Sequence, residues 1–404
     1  MKTGVLQSSQ SRIGFLFGAG VSLAAGAPST KDLTDLVLQG RGVRRHTGGC
    51  YFIPNQPLPD LGGEQCVERI RCFVQFLAEH ANRFFREQKR NRRTANYEDI
   101  HYLASQLADA VEEYENPAVE ALLRSARSEF AQAPFRGHAA FEPNDIFKES
   151  RNYIKSVVSE ALFRVESVKN HLDQLVQANR DDSISRVEVV SLNHDLLIER
   201  TLKQNGVQLA TGFTKLSEYL LQWNRDEFAR SRSKVRLNKL HGSVDWISLR
   251  TQDRRWRTCI VTCGDISMAK DPRGHGIDTW DPVPEILVGT FNKMLEYTMG
   301  IYADLFCAFR VALRQLDKLV VAGYSFGDKG VNAALSEWIR ENQRRRIMIV
   351  SPHASRFQRT ARGAIRKVLE DCRTQITLRN ARFEDVAWGE IREWRTMGVG
   401  DDRR

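Results

Sequence analysis

The sequence predicts an α/β fold: a parallel sheet with helices on both faces, interrupted by a large helical insertion. Three observations predict it. Short apolar runs at 12–17, 187–192, 235–240, 258–262, 318–323, 346–351 and 374–378 read as strands. Amphipathic stretches at 195–204, 328–342 and 355–371 lie between several of these runs. That alternation is the one expected of a parallel sheet covered on both faces. Residues 64–180 carry helical periodicity and almost no strand-like alternation.

Taken in order, RIGFLF at 12–17 is a buried strand that ends in glycines. Ser29 and Thr30 are candidate N-caps for a helix starting near Lys31, because their hydroxyls can accept a bond from the first helical turn. A loop rich in Gly and Pro spans 40–63. Helices are expected near 64–90, 96–115, 117–132 and 145–179, with Pro117, Pro134 and Pro143 as breaks. The basic stretch 83–93 crosses the join of the first two and reads as a binding patch or as a solvated helix end. The simplest division is one α/β domain of residues 1–40 and 186–390, a helical insertion domain of 41–185, and a tail of 391–404 that frays from Gly398.

Composition narrows the classes. The 404 residues include 42% hydrophobic and 27% charged, the globular range rather than the disordered one. No window approaches the roughly 18 apolar residues of a membrane span, and the first residues, MKTGVLQSSQSR, lack the apolar core of a signal peptide. The seven cysteines at 50, 66, 72, 259, 263, 307 and 372 form no Cys-x-x-Cys pair, so a cytoplasmic chain with reduced thiols is expected. The formal charge is +10, carried by 45 Arg and 15 Lys against 50 acids. Arginine suits phosphate, yet the charges run through the whole chain, so DNA is only weakly suggested.

Four strand ends carry the chemistry. Phe17-Gly18-Ala19-Gly20-Val21-Ser22 closes the first strand; its glycines allow a tight turn and a close approach to a pyrophosphate, as in Rossmann-like folds. Ser191-Leu192-Asn193-His194-Asp195, Lys239-Leu240-His241-Gly242-Ser243 and Gly323-Tyr324-Ser325-Phe326-Gly327-Asp328 close three later strands, where open α/β sheets place ligands. Singly, each also reads as a cap, a core histidine or a turn.

Together these elements resemble the sirtuin superfamily: GAGVS at 18–22 with Gly26 and Pro28, SLNHD at 191–195, LHGS at 240–243 with Trp246, and GYSFGD at 323–328 with Asn332, in family order. The resemblance covers about 230 residues and looks like the divergent prokaryotic branch, the sirtuin-like NADases of antiviral defence. It implies that Gly18, Ala19, Gly20 and Ser22, with Pro28, cradle NAD. Gly323 and Ser325, with Asn332, take the adenosine half, and Ser351 and Pro352 border the adenine. Asn193 and Asp195 line the nicotinamide–ribose end, and His241 is the catalytic base. His194 is expected to point away, and Ser243 to cap a helix.

The departures matter too. Zinc-bearing sirtuins carry two Cys-x-x-Cys pairs after the histidine element, whereas this chain has Cys259, Cys263 and Cys307 there, so no zinc is expected. The resemblance therefore implies hydrolysis of NAD to nicotinamide and ADP-ribose in antiphage defence, gated by a homo-oligomer or a partner. The partner it suggests is a HerA-type hexameric ATPase; no G-x-x-x-x-G-K-[ST] sequence occurs in this chain. An NAD-dependent deacylase or ADP-ribosyltransferase, and a non-catalytic nucleotide- or DNA-sensing subunit, stay open as alternatives.

Overall fold

The computed structural model describes residues 11–45, 51–54, 64–87, 93–112, 116–130, 145–166, 168, 170–250, 255–263, 268–277, 284–289, 292–361 and 363–397. Pro134, Pro143, residues 88–92 of the basic stretch and the tail from Gly398 lie outside the described residues.

The chain opens with β1 (Ser11–Phe17), a one-turn helix α1 (Ala19–Ser22) and α2 (Thr30–Gln39). Ser29 caps α2 in a capping box with Asp32, one residue earlier than the expected start. A two-residue hairpin, β2 (Arg44–Arg45) with β3 (Tyr51–Phe52), leads into four helices: α3 (Glu64–Glu87), α4 (Tyr97–Val111), α5 (Glu120–Phe130) and α6 (Asp145–Phe163). Their apolar stripes close a core of their own around Phe73, Leu77, Ile100, Phe147 and Ile154, which also takes in Leu33 and Val37 of α2. Each such side chain contributes about 1.5–3 kcal/mol relative to exposure.

The stretch expected as one helix over 145–179 is two. α6 ends at Phe163, and α7 (Asp173–Arg180) follows after a turn in which Asn170 takes φ 65°. The break has a packing cause. The buried face of α6 belongs to the helical core, whereas Leu175 and Val176 of α7 belong to the sheet core, and one straight helix cannot serve both.

From there the α/β unit resumes with β4 (Ile184–Ser191), α8 (Leu197–Gln204), β5 (Leu209–Ala210), β6 (Phe213–Lys215), β7 (Leu220–Trp223), α9 (Arg225–Arg230), β8 (Val235–Lys239), β9 (Gly242–Arg250), β10 (Trp256–Val261) and β11 (Pro284–Ile286). It closes with α10 (Asn292–Glu296), α11 (Gly300–Arg314), β12 (Lys318–Ala322), α12 (Lys329–Glu341), β13 (Arg346–Val350), α13 (Phe357–Thr360), α14 (Ala364–Asp371), β14 (Ile376–Arg379) and α15 (Trp388–Thr396).

The main sheet runs β14-β13-β12-β1-β4-β8-β5 and its pairings are parallel. Strand residues alternate between two cores. Leu16, Leu319, Val321, Ile347 and Ile349 pack under α11, α12 and α14, while Phe15, Phe17, Val189, Val320 and Met348 pack under α7, α8 and α15. Burial on both faces explains why these strands read as continuous apolar runs. The fold is thus the expected α/β one.

Two elements differ from expectation. The 258–262 run does not join the parallel sheet. It is β10, in a separate antiparallel sheet of order β11-β9-β10-β7-β6. An apolar run specifies burial but not which sheet it enters. α11 has no counterpart among the expected elements, although Leu305, Phe309 and Leu313 fill the centre of one sheet face.

Candidate functional site

The sheet register builds the site. Phe17 lies level with Ala322 on one side and Ser191 on the other, and Ser191 lies level with Lys239. The four polar strand ends therefore leave the sheet side by side at its C-terminal edge. The chain order also reverses between β1 and β12, the crevice where open α/β sheets bind ligands. A cavity of 820 Å³ opens there. Gly18, Ala19, Gly20, Ser22, Pro28, Asn193, Asp195, His241, Gly323 and Ser325 line it. Asn332 stands behind it: its side chain donates to the Phe326 carbonyl (2.8 Å) and accepts from the Tyr324 hydroxyl (2.9 Å), fixing the 323–328 turn.

The glycines have a packing reason. A Cβ on Gly323, at φ 62°, would stand 2.3 Å from the Val21 nitrogen, and one on Gly20 would stand 2.8 Å from the Gly323 Cα. The turns after β1 and β12 touch backbone to backbone, with Gly20 N–H donating to the Gly323 carbonyl (2.9 Å) and Val21 N–H to the Gly18 carbonyl (3.1 Å). Two amides that a pyrophosphate turn would present are thus used within the loops.

Asn193, Ser22 and Asp195 form one buried network. The Asn193 amide donates to the Gly18 carbonyl (3.0 Å) and to Ser22 Oγ (2.9 Å), and Ser22 donates to Asp195 Oδ2 (2.7 Å). Asp195 Oδ1 accepts from Leu197 N–H (3.1 Å) at the start of α8. Beneath them, buried Lys239 pairs with Glu199 (3.0 Å) and donates to the His194 and Asp195 carbonyls, clamping the loop to β8. Asn193 Oδ1 is buried and, among the described residues, accepts no hydrogen bond. A buried acceptor without a partner is costly, and Asn193 itself lines a ligand-sized cavity.

His241 is buried and its Nε2 meets Tyr297 Oη at 2.7 Å and Asp328 Oδ2 at 3.1 Å. Burial, then the positive charge of Lys293, lowers the His241 pKa, against the pull of Asp328. Burial alone would raise the Asp328 carboxyl, but the bond from His241, with Lys293 nearby and the Val331 N–H, holds it well below the carboxylate range. The consistent state at neutral pH is neutral imidazole beside ionised Asp328. Nε2–H then points at the two oxygens while Tyr297 donates to Asp328 (3.1 Å). Asp328 also caps α12 through Val331 N–H (2.8 Å), so one carboxylate orients the imidazole and starts a helix.

His194, expected to point away, lines the same cavity with its ring centroid 6.3 Å from that of His241. Burial foremost, then the charges of His241, Lys293 and Lys239, pushes its pKa well down. Ser243 caps no helix; it sits buried in β9 with its hydroxyl towards the His194 carbonyl (3.4 Å). Ser351 and Pro352 do not line the cavity, whereas Phe357 and Thr360 do.

The helical segment supplies a further wall. Arg93, Asn96, Tyr97, Glu98 and Asp99, at and before the first turn of α4, face the cavity. Glu98 reaches Lys293 of α10 at 3.3 Å, and Arg93 grips Asp99 bidentately at 2.6 and 2.8 Å. Tyr297, Lys293, His194 and Glu98 are the side chains that sequence reasoning missed. The only prior signal was the position of His194 inside SLNHD.

In the region after His241, Cys259 is packed among Leu220, Leu249 and Ala269, and burial pushes its thiol pKa up to about 12. It is a core residue of the small sheet.

None of the curated proteins matches the chain. Solved structures with similarity to it include a Sir2 homologue complexed with NAD (15% identity, 90% of this chain and 89% of that chain, TM-score 0.36). Another is a structure on the basis of sirtuin substrate affinity (11% identity, 95% and 94%, TM-score 0.37). A third is a mutant Sir2 homologue complexed with ADP-ribose (14% identity, 90% and 91%, TM-score 0.34). The protein-family comparison is more local: residues 187–376 match the SIR2-like domain, a span that holds Asn193, Asp195, His241 and the 323–328 turn and leaves out the 18–22 turn.

Proposed function

We propose that this protein hydrolyses NAD at the bond between nicotinamide and ribose. The observation that carries the reading is the meeting, in one cavity, of Asn193, whose carbonyl oxygen is buried without a partner among the described residues, and the oriented, neutral His241. The bond to nicotinamide breaks readily because the ring nitrogen is cationic while bonded. Its electron pair returns to the ring, nicotinamide leaves neutral, and the ribose carbon passes through an oxocarbenium-like state. Water then bonds to that carbon and releases one proton. In this reading Asn193 positions the water or a ribose hydroxyl, and Asp195, tied to Asn193 through Ser22, offsets the positive charge that develops. His241 takes or steers the proton, with Asp328 and Tyr297 as its orienting groups.

The wall contributed by residues 93–99 supports gating: the Glu98–Lys293 pair joins the helical segment to α10, which ends just before Tyr297. Regulation by assembly, a HerA-type ATPase partner and a role in antiphage defence extend the same reading and rest on the motif resemblance. The test is to incubate the chain with NAD, with and without an acetylated peptide, the translocase partner and DNA, and to follow nicotinamide and ADP-ribose. Equal release of both products without an acyl acceptor supports hydrolysis. Nicotinamide release that needs the peptide means deacylation, and intact NAD in every mixture overturns the reading.

A further inference from the structure

A second cavity, of 330 Å³, lies at the opposite edge of the main sheet, where the parallel strands begin. Arg12 and Gly18 stand six residues apart along β1 and its turn, so the two cavities are about 20 Å apart. Arg12, Arg186 and Arg236 come from the first residues of β1, β4 and β8, and Arg225 from α9. Trp223 and Phe228 form an aromatic wall, and Asp304 and Cys307 of α11 close the other side.

The charges do not balance. Four guanidiniums line this cavity against two carboxylates, Glu188 and Asp304. Glu188 is consumed by a bidentate bond with Arg236 (2.9 and 2.7 Å), and Asp304 accepts from Trp223 Nε1 (3.0 Å) and meets Arg225 (3.3 Å). Arg186 donates to neutral acceptors, the carbonyls of Ser231 (3.0 Å) and Ser233 (2.8 Å), and Arg12 donates to Gln315. Arg12 and Arg186 also stand directly opposite each other on neighbouring strands. Like charges held this close repel, and an anion between them would relieve the repulsion. Burial lowers the Arg186 pKa; Glu188 opposes this, and the charges of Arg236 and Arg12 add to it.

We propose that this cavity binds a phosphate-bearing ligand of mononucleotide size, with its phosphate between Arg12 and Arg186 and its base against Trp223. Guanidinium forks match phosphate oxygens, an indole face suits a base, and the volume falls at the small end of ligand pockets. The site is separate from the proposed NAD cavity and does not depend on that reading.

Cys307 is exposed and lines the cavity, which gives a local reporter. The full chain is treated with iodoacetamide, and alkylation of each cysteine is followed by peptide mass spectrometry with AMP or inorganic phosphate present. AMP at about four times its dissociation constant should slow alkylation of Cys307 roughly fivefold, and inorganic phosphate at the same concentration should protect less. Alkylation of Cys72, exposed on α3, should not change. Arg186→Gln should abolish the protection. The double variant Arg12→Gln, Arg225→Gln should weaken it as well, and because both side chains are exposed it keeps the test open if Arg186→Gln does not fold. An unchanged Cys307 rate with AMP, equal protection by inorganic phosphate, or full protection in the double variant would each overturn the proposal.

Discussion

Replacing Asp328 with alanine removes two functions at once, and their sizes follow from its contacts. Oδ1 caps α12 through Val331 N–H at 2.8 Å, and loss of such a cap costs about 1 kcal/mol. Oδ2 receives Tyr297 Oη–H and faces His241 Nε2, both at 3.1 Å; His241 keeps Tyr297 Oη at 2.7 Å, but leaving the buried Tyr297 hydroxyl without its acceptor costs about 1–3 kcal/mol. Asp328→Ala should therefore destabilise the chain by about 2–4 kcal/mol. Asp328→Asn, an equally good cap, should lose roughly half of that. Urea unfolding at pH 7, followed by tryptophan fluorescence, reads the difference as a midpoint lowered by roughly 0.5–1 M for the alanine variant, since the denaturant slope of a chain this long exceeds about 3 kcal/mol/M. The folded-state pKa of Asp328 is depressed, so its ionised form stabilises above the ordinary value of 3.8, and this contribution fades as pH falls from there through the folded value. The gap between wild type and Asp328→Asn should therefore start to narrow below about pH 4 and shrink progressively as the pH falls further. An Asp328→Ala midpoint equal to that of wild type at pH 7 would refute the assigned contacts.

Gly323→Ala should cost about 2–4 kcal/mol, because the residue has φ 62° and its Cβ would press on the Val21 nitrogen; a thermal melt checks it. Ser22→Ala should lose about 1–3 kcal/mol and slow NAD turnover, since Ser22 joins Asn193 to Asp195; wild-type stability would count against that network. Lys293→Met removes a charge that lowers the His241 pKa. If neutral His241 is the active form, the acidic limb of the rate profile should move to higher pH. An unmoved limb would separate His241 from the rate.

The four strand ends were legible because each is a short contiguous segment, and parallel register brings such segments level without any choice of side-chain direction. The cap at Ser29 is local in the same way. The missed partners are not local. Lys293 reaches the cavity only because α10 packs over it, Tyr297 meets His241 from just past the end of that helix, and Glu98 arrives only because the helical segment folds back on the sheet. The direction of His194 was undetermined in sequence because β4 stops at Ser191, and the alternation of a strand ends with it. For β10, apolarity showed burial while the pairing with β7 and β9 decided the sheet. Net charge was the least informative number: the excess that matters is a local one, at Arg12 and Arg186, among many arginines that are paired, such as Arg236 with Glu188.

In the proposed reaction Asn193 and the oriented His241 cleave NAD. Its most direct measurement is nicotinamide release by wild type, Asn193→Ala and His241→Ala, each first shown to be folded by circular dichroism. Wild type should release nicotinamide and ADP-ribose in equal amounts without an acyl acceptor, and each variant should be slower by roughly 100-fold or more. A folded Asn193→Ala or His241→Ala protein that releases nicotinamide at the wild-type rate would contradict it.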